Sequence, residues 1–160
     1  MDAIKRIFIT GATGFIGSAL AMQLLGKGYT VGILARKSSD LSRFGNRACD
    51  ISVFHGDIRE NKEILRIIKE FKPDCIFHLV TYYAVEHTPA EISVMLDTNV
   101  KGTVNLLEAA KEHGVRLFIN TSTCAVYRQK DRALREDDEL DPQNLYAVTK
   151  LQAEIGRAHV

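Results

Sequence analysis

The sequence predicts an α/β domain built on a doubly wound parallel sheet, and three observations carry that expectation. Short apolar runs end in turn signals, stretches of helical spacing alternate with them, and a glycine-rich turn joins the first run to the first helix. Strands joined by crossover helices pair in parallel with right-handed connections, so helices cover both faces of the sheet and bury its strands.

The strands are read from Ile7-Phe8-Ile9, Val31-Gly32-Ile33-Leu34, Ile51-Ser52-Val53-Phe54, Cys75-Ile76-Phe77-His78-Leu79 and Leu117-Phe118-Ile119. Helical spacing runs from Phe15 to Leu25, from Lys62 to Phe71, and from about Glu91 to His113, with Pro89 before the last of these and Gly114 after it. A short segment connects the second and third strands. The stretch from Arg128 to Asp141 is charged and poor in apolar residues, which predicts a surface loop. A final helix carries Tyr146 and Lys150.

The 160 residues make one domain, a size that buries roughly two-thirds of its unfolded surface. Apolar residues are 46% of the chain, and 21 Lys and Arg face 20 Asp and Glu, so no basic excess points to nucleic acid or an anionic membrane. No window approaches the ~20 apolar residues of a membrane span, and Met1 to Arg6 lacks the apolar stretch of a signal peptide; the expected location is the cytoplasm. Cys49, Cys75 and Cys124 fit neither a disulfide framework nor a zinc site and are expected to be buried as small hydrophobes. The five histidines show no metal-ligand spacing, so no metal is expected, and His78 reads as a hydrogen-bonded core residue.

The first strand ends in Thr10-Gly11-Ala12-Thr13-Gly14-Phe15-Ile16-Gly17, where helical periodicity begins at once. Glycines here allow a tight turn, the approach of a pyrophosphate to the backbone, and close packing of helix on strand. The helix N-terminus offers free N–H groups to the phosphates. A dinucleotide site normally places an acid at the end of its second strand, to hold ribose hydroxyls and repel a 2′-phosphate. This strand ends instead in Leu34-Ala35-Arg36-Lys37, and a guanidinium there binds phosphate through two parallel bonds, so Arg36 favours NADP over NAD. The alternative for Arg36 is a solvated basic residue in a surface turn.

Tyr146-Ala147-Val148-Thr149-Lys150 places a phenol and an ammonium on one helix face. Reduction of a ketone needs a proton for its oxygen as hydride reaches its carbon. A phenol of ordinary pKa near ~10 exchanges that proton poorly at neutral pH, and a neighbouring ammonium is expected to lower its pKa.

The turn Gly11 to Gly17, spaced G-x-x-G-x-x-G and reading G-A-T-G-F-I-G, resembles the extended branch of the short-chain dehydrogenase/reductase superfamily, the epimerase/dehydratase family. The resemblance covers about Lys5 to Glu154 and implies a Rossmann domain in which Gly11, Thr13, Gly14, Phe15, Ile16 and Gly17 meet the cofactor. It assigns Asp57 and Ile58, in His55-Gly56-Asp57-Ile58, to the adenine; Asp57 could also cap the helix that begins near Glu60 or Asn61. Leu79, Val80 and Thr81 stand where the family passes the cofactor's ribose and nicotinamide, with Val80 and Thr81 in place of the usual two alanines. Asn120-Thr121-Ser122-Thr123-Cys124-Ala125-Val126-Tyr127 is similar to the family's S-S-x-x-V-Y segment. Thr123 then falls at the catalytic hydroxyl position beside Tyr146, Ser122 is its neighbour, and Arg128 stands where the family often has Gly. Tyr127 reads as packing or substrate contact. Lys150 is implied to bond the nicotinamide ribose, so Tyr146 and Lys150 join the cofactor set. Asn99 matches an Asn that supports the active site, against the alternative of a polar helix residue facing solvent.

The resemblance further implies a smaller C-terminal substrate domain, a homodimer joined through helices, and a nucleotide-sugar or other small carbonyl substrate. The first expectation is NADP-dependent 4-keto reduction or epimerisation of a nucleotide-diphosphate sugar, because Thr81 to His87 is similar to a segment of reductases that make deoxysugars. Ala35 to Leu41 is also similar to dihydroflavonol-type ketone reductases, and a non-catalytic NADP-sensing protein is the rival from another class. The chain is expected to be an N-terminal fragment: 1–154 as an incomplete dinucleotide-binding domain and 155–160 as a non-native tail. Gly156 is expected to interrupt the last helix, and Ile155 to Val160 can be encoded by a common sequencing-adapter sequence.

Overall fold

The computed structural model describes residues 3–158, with side chains as far as Ile155. Five strands, β1 (Arg6–Thr10), β2 (Thr30–Ala35), β3 (Ile51–His55), β4 (Cys75–His78) and β5 (Leu117–Asn120), pair in parallel in the order β3-β2-β1-β4-β5. The helices are α1 (Phe15–Gly26), α2 (Asn61–Phe71), α3 (Pro89–Leu96), α4 (Gly102–Glu112) and α5 (Leu145–Ala158). This is the doubly wound architecture that the alternation of strands and helices predicts. Chain direction across the sheet reverses between β1 and β4, and the loops leaving those strands part to open a crevice.

Side chains alternate across each strand, so one sheet feeds two cores. Ile7, Ile9, Val31 and Ile33 pack with Leu24, Leu25 and Phe44 on one face. Phe8, Leu34 and Ile76 pack with Ile64, Ile67, Ile68, Phe71 and Leu106 on the other. A Cβ at Gly32 would stand 2.8 Å from the Phe71 ring, so the absence of a side chain there lets that ring lie against the sheet.

Four sequence expectations are corrected. The long helix begins at Pro89, two residues early, because Thr88 and Glu91 form a capping box and Pro89 occupies the first helical position. It is also not one α-helix: Asp97–Lys101 forms a π-turn between α3 and α4. Cys49 and Cys124 are exposed, and only Cys75 is buried as expected, because only Cys75 lies on a central strand. Gly156 does not break α5, which continues to Ala158 because no proline or left-handed residue stops it. His159 and Val160, the rest of the expected tail, lie outside the described residues. Among the described residues, no helix is long and apolar enough to cross a membrane.

Candidate active site

The crevice holds a groove of about 210 Å³ whose lining includes Gly11, Thr13, Arg36, Asp57, Ile58 and Val80. Its floor is the turn between β1 and α1. Gly11 sits at φ +73°, and a Cβ there would come within 2.7 Å of the Val80 nitrogen, so the chain leaving β4 crosses directly over the turn. Gly17 lies beneath it, where a Cβ would fall 2.3 Å from the Gly11 carbonyl oxygen. Gly14 caps α1 without a side-chain oxygen, which leaves the first N–H groups of that helix for a ligand. Phe15 and Ile16 are exposed, Phe15 to 79%, and Phe15 faces a separate hollow with Ser18, Met22 and Arg43. Leu79 contributes backbone at the crossing over Gly11.

At the β2 end, Arg36 is exposed beside the groove, and its N–H donates to Ser39 Oγ. Lys37 and His55 join it around an adjoining hollow. Asp57 is held by Arg59, whose Nε stands 3.0 Å from both carboxylate oxygens and whose Nη2 stands 2.6 Å from one. That bonding, with a smaller contribution from Arg36, holds the Asp57 pKa below its ordinary value. The Asp57 carboxylate also accepts the Arg59 N–H, so it caps the turn into α2, whereas the N-cap of α2 itself is Glu60. Ile58 is buried, and its carbonyl accepts a bond from Asn105.

The second group converges at the start of α5. Asn144 Oδ1 accepts the Ala147 N–H and anchors the first turn. Tyr146 is only 7% exposed and Lys150 4%, one helical turn apart on the buried face. Burial pushes the Tyr146 pKa up, opposed by hydrogen bonding between the phenol and the hydroxyls of Thr81 and Thr123. The lowering expected from Lys150 is not what acts on the phenol: Thr81 and Thr123 oppose the rise, and burial outweighs them. Burial likewise pushes the Lys150 pKa down, against the charge of Glu154. Thr123 also caps the short turn Cys124–Val126 by accepting the Ala125 N–H. Ser122 turns away to bond Glu154. Tyr127 is half-buried beside Ser122 and Cys124.

Asn99, on the π-turn, is buried and does not face solvent. Its Oδ1 accepts from the Tyr82 N–H at 2.7 Å and the Thr81 hydroxyl at 3.1 Å; its Nδ2 donates to the Tyr82 carbonyl at 2.9 Å and Thr149 Oγ1 at 3.0 Å. The Thr149 hydroxyl donates in turn to the Tyr146 carbonyl. The extra residue of a π-turn swings one side chain inward, and here that side chain ties the loop after β4 to the helix of Tyr146. Sequence reasoning missed Tyr83, whose ring meets that of Tyr146 edge-on at 4.9 Å, as well as Arg59 and Thr149. Tyr83 and Thr149 depend on contacts across the fold that no local spacing announces, whereas Arg59 stands two residues from Asp57 and its pairing was open to a local reading.

The sequence model of the NAD dependent epimerase/dehydratase family matches residues 7–156. UDP-glucose 4-epimerase 4 of Oryza sativa subsp. japonica is 31% identical over 159 residues, which cover 94% of this chain and 43% of that protein. GDP-mannose 4,6-dehydratase of Yersinia enterocolitica is 34% identical over 166 residues, with 94% and 44% covered. The chain thus spans less than half the length of these curated relatives. Among solved structures, UDP-glucose 4-epimerase from Thermus thermophilus in complex with NAD superposes with a TM-score of 0.86 at 25% identity, covering 96% of this chain and 50% of that one. UDP-glucose 4-epimerase from Brucella ovis in complex with NAD gives a TM-score of 0.86 at 27% identity, with 97% and 47% covered.

Proposed function

The chain belongs to the NAD dependent epimerase/dehydratase family, and on that premise we propose that it carries the cofactor and catalytic residues of an enzyme that reduces or epimerises a nucleotide-diphosphate sugar at its 4-position. The observation that carries this reading is the burial of the Tyr146 phenol and the Lys150 ammonium one helical turn apart, with Thr81 and Thr123 as the hydroxyl neighbours of that phenol. A non-catalytic cofactor sensor has no use for that arrangement. The relatives named as UDP-glucose 4-epimerases support the substrate class.

The groove fits a dinucleotide. Gly11 to Gly17 would hold the pyrophosphate against the N-terminus of α1, Asp57 and Ile58 would flank the adenine, and Val80, Thr81 and Lys150 would face the ribose and nicotinamide. When bound, the nicotinamide supplies or accepts a hydride. Tyr146 gives a proton to the substrate oxygen, or takes one from it, at its phenolic Oη. Thr123 and Thr81 orient that oxygen, and Asn99 and Thr149 hold the helix that presents it. The phenol is protonated at neutral pH, as an acid toward a ketone must be, and because burial raises its pKa it yields that proton less readily than an ordinary phenol does. The expected result is inversion or reduction at C4 when the complete protein is incubated with UDP-glucose or its 4-keto form and followed by proton NMR. A complete, cofactor-loaded protein that leaves both unchanged would count against the substrate class.

Within this reading NADP is the proposed cofactor, on the charge beside the adenosine end of the groove. Arg36 faces the groove with no acid at its own position, and Lys37 and His55 stand around the adjoining hollow together with Asp57, which Arg59 pairs, and Glu63. Titration is expected to give tighter binding of NADPH than of NADH. Arg36→Asp is expected to reverse the order, since a carboxylate repels the 2′-phosphate and bonds the ribose diol. Equal affinities in the unsubstituted protein would refute the assignment.

A further inference from the structure

We infer that His78 is a positioning residue for the proposed site: fixed in one neutral tautomer, it joins the backbone over the phosphate turn to the π-turn that steadies the catalytic helix. This inference rests on reading the groove as a nicotinamide-nucleotide site.

His78 ends β4 and is 1% exposed. Its Nδ1 lies 2.7 Å from Thr10 Oγ1 and its Nε2 lies 2.9 Å from Thr103 Oγ1. The direction of each bond follows from its neighbours. Thr103 donates its one hydroxyl proton to the Asn99 carbonyl at 2.6 Å, so it can only accept from the ring, and Nε2 carries the proton. Nδ1 is then an acceptor, and the Thr10 hydroxyl donates to it. That leaves the Thr10 oxygen free to accept the Val80 N–H at 3.3 Å. The bonds run in one sense, from the Val80 N–H through Thr10, His78 and Thr103 to the Asn99 carbonyl, and bonds aligned in this way strengthen one another.

Both ends of the relay are placed to act. Val80 lines the groove, and its nitrogen lies against Gly11. Asn99 grips Tyr82 and Thr149 with its side chain. Burial and the charge of Lys150 push the His78 pKa down to about 3, so the ring is neutral at pH 7. A charged ring would donate from both nitrogens and force the Thr10 proton away from Nδ1. A histidine that only filled space would need neither a fixed tautomer nor both threonines.

Nitrogen-15 NMR of the imidazole at pH 7 tests the tautomer directly: the proton is expected on Nε2, and a proton on Nδ1, or a mixture, would overturn the relay. Titration with NADPH and NADH tests its effect on the site. His78→Phe keeps most of the volume and removes both bonds, and is expected to weaken binding about tenfold, the effect of stranding one buried partner. His78→Asn puts an amide oxygen near the Nδ1 position and is expected to recover most of that loss. His78→Gln reaches Thr103 instead and should bind more weakly than the Asn variant. A folded His78→Phe protein that binds as tightly as the parent would overturn the inference, and so would a Gln variant that binds better than the Asn variant if the Phe variant does not fold. An unsubstituted protein that binds neither nucleotide refutes the nicotinamide reading, while the tautomer still decides the relay.

Discussion

Tyr146→Phe in the complete protein is expected to lower turnover by about 10² or more while cofactor affinity stays nearly unchanged, because it removes the proton donor and leaves the packing. The ring is buried and meets Tyr83 edge-on, and a phenylalanine keeps that contact. Thr123→Ala is expected to cost less, since the Thr81 hydroxyl still bonds the phenol. The pH dependence follows in sign. With the phenol's pKa raised above its ordinary value, ketone reduction is expected to hold through neutral pH and to fall only on the alkaline side, as the phenol loses its proton. Tyr146→Phe should abolish that alkaline limb along with most of the rate. Steady-state kinetics across pH checks both parts, and a Tyr127→Phe enzyme as impaired as Tyr146→Phe would mean that the other tyrosine is the acid.

Much of this was legible in the sequence because its physics is local. The glycines of the phosphate turn, the two-residue alternation of β1 and the four-residue spacing of Tyr146 and Lys150 each follow from neighbours along the chain. The place of Arg36 at the groove was legible for the same reason, since the residue that follows β2 faces the crevice. The π-turn was not, because apolar spacing continues from Leu96 through Val100 to Val104 without a break. The sequence left Asn99 open between solvent and site, and its four hydrogen bonds to residues 17 or more positions away show it buried rather than facing solvent. The rise in the Tyr146 pKa was hidden for a similar reason. Spacing shows an ammonium one turn away, whereas burial is a property of the whole fold. His78 was read correctly as a hydrogen-bonded core residue, but its two partners come from β1 and α4, and only the structure brings them to its ring.

The second large effect is expected within α1, where the same substitution at two glycines should act in opposite directions. Alanine at position 17 would put its Cβ 2.3 Å from the Gly11 carbonyl oxygen and 2.7 Å from the Ala12 Cα, contacts that only a backbone shift can relieve. That carbonyl also accepts the Gly14 N–H, so the shift would carry the phosphate turn with it. Overpacking of this kind costs about 1–3 kcal/mol, and in a domain of this size each kcal/mol lowers Tm by about 2–4 °C. Displacing the turn at a cost of about 1.4 kcal/mol of binding energy weakens cofactor affinity tenfold. Gly26 ends the same helix with no atom from outside its own helix within 4 Å of the position a Cβ would take. Alanine there removes only the excess freedom of glycine in the unfolded chain and is expected to raise stability by up to about 1 kcal/mol, with cofactor binding unchanged. Thermal melts and NADPH titrations of the two variants decide between packing and helix propensity as the reason for glycine at position 17. If Gly17→Ala melts higher, as Gly26→Ala should, the close approach of α1 to the phosphate turn is not what holds the site together.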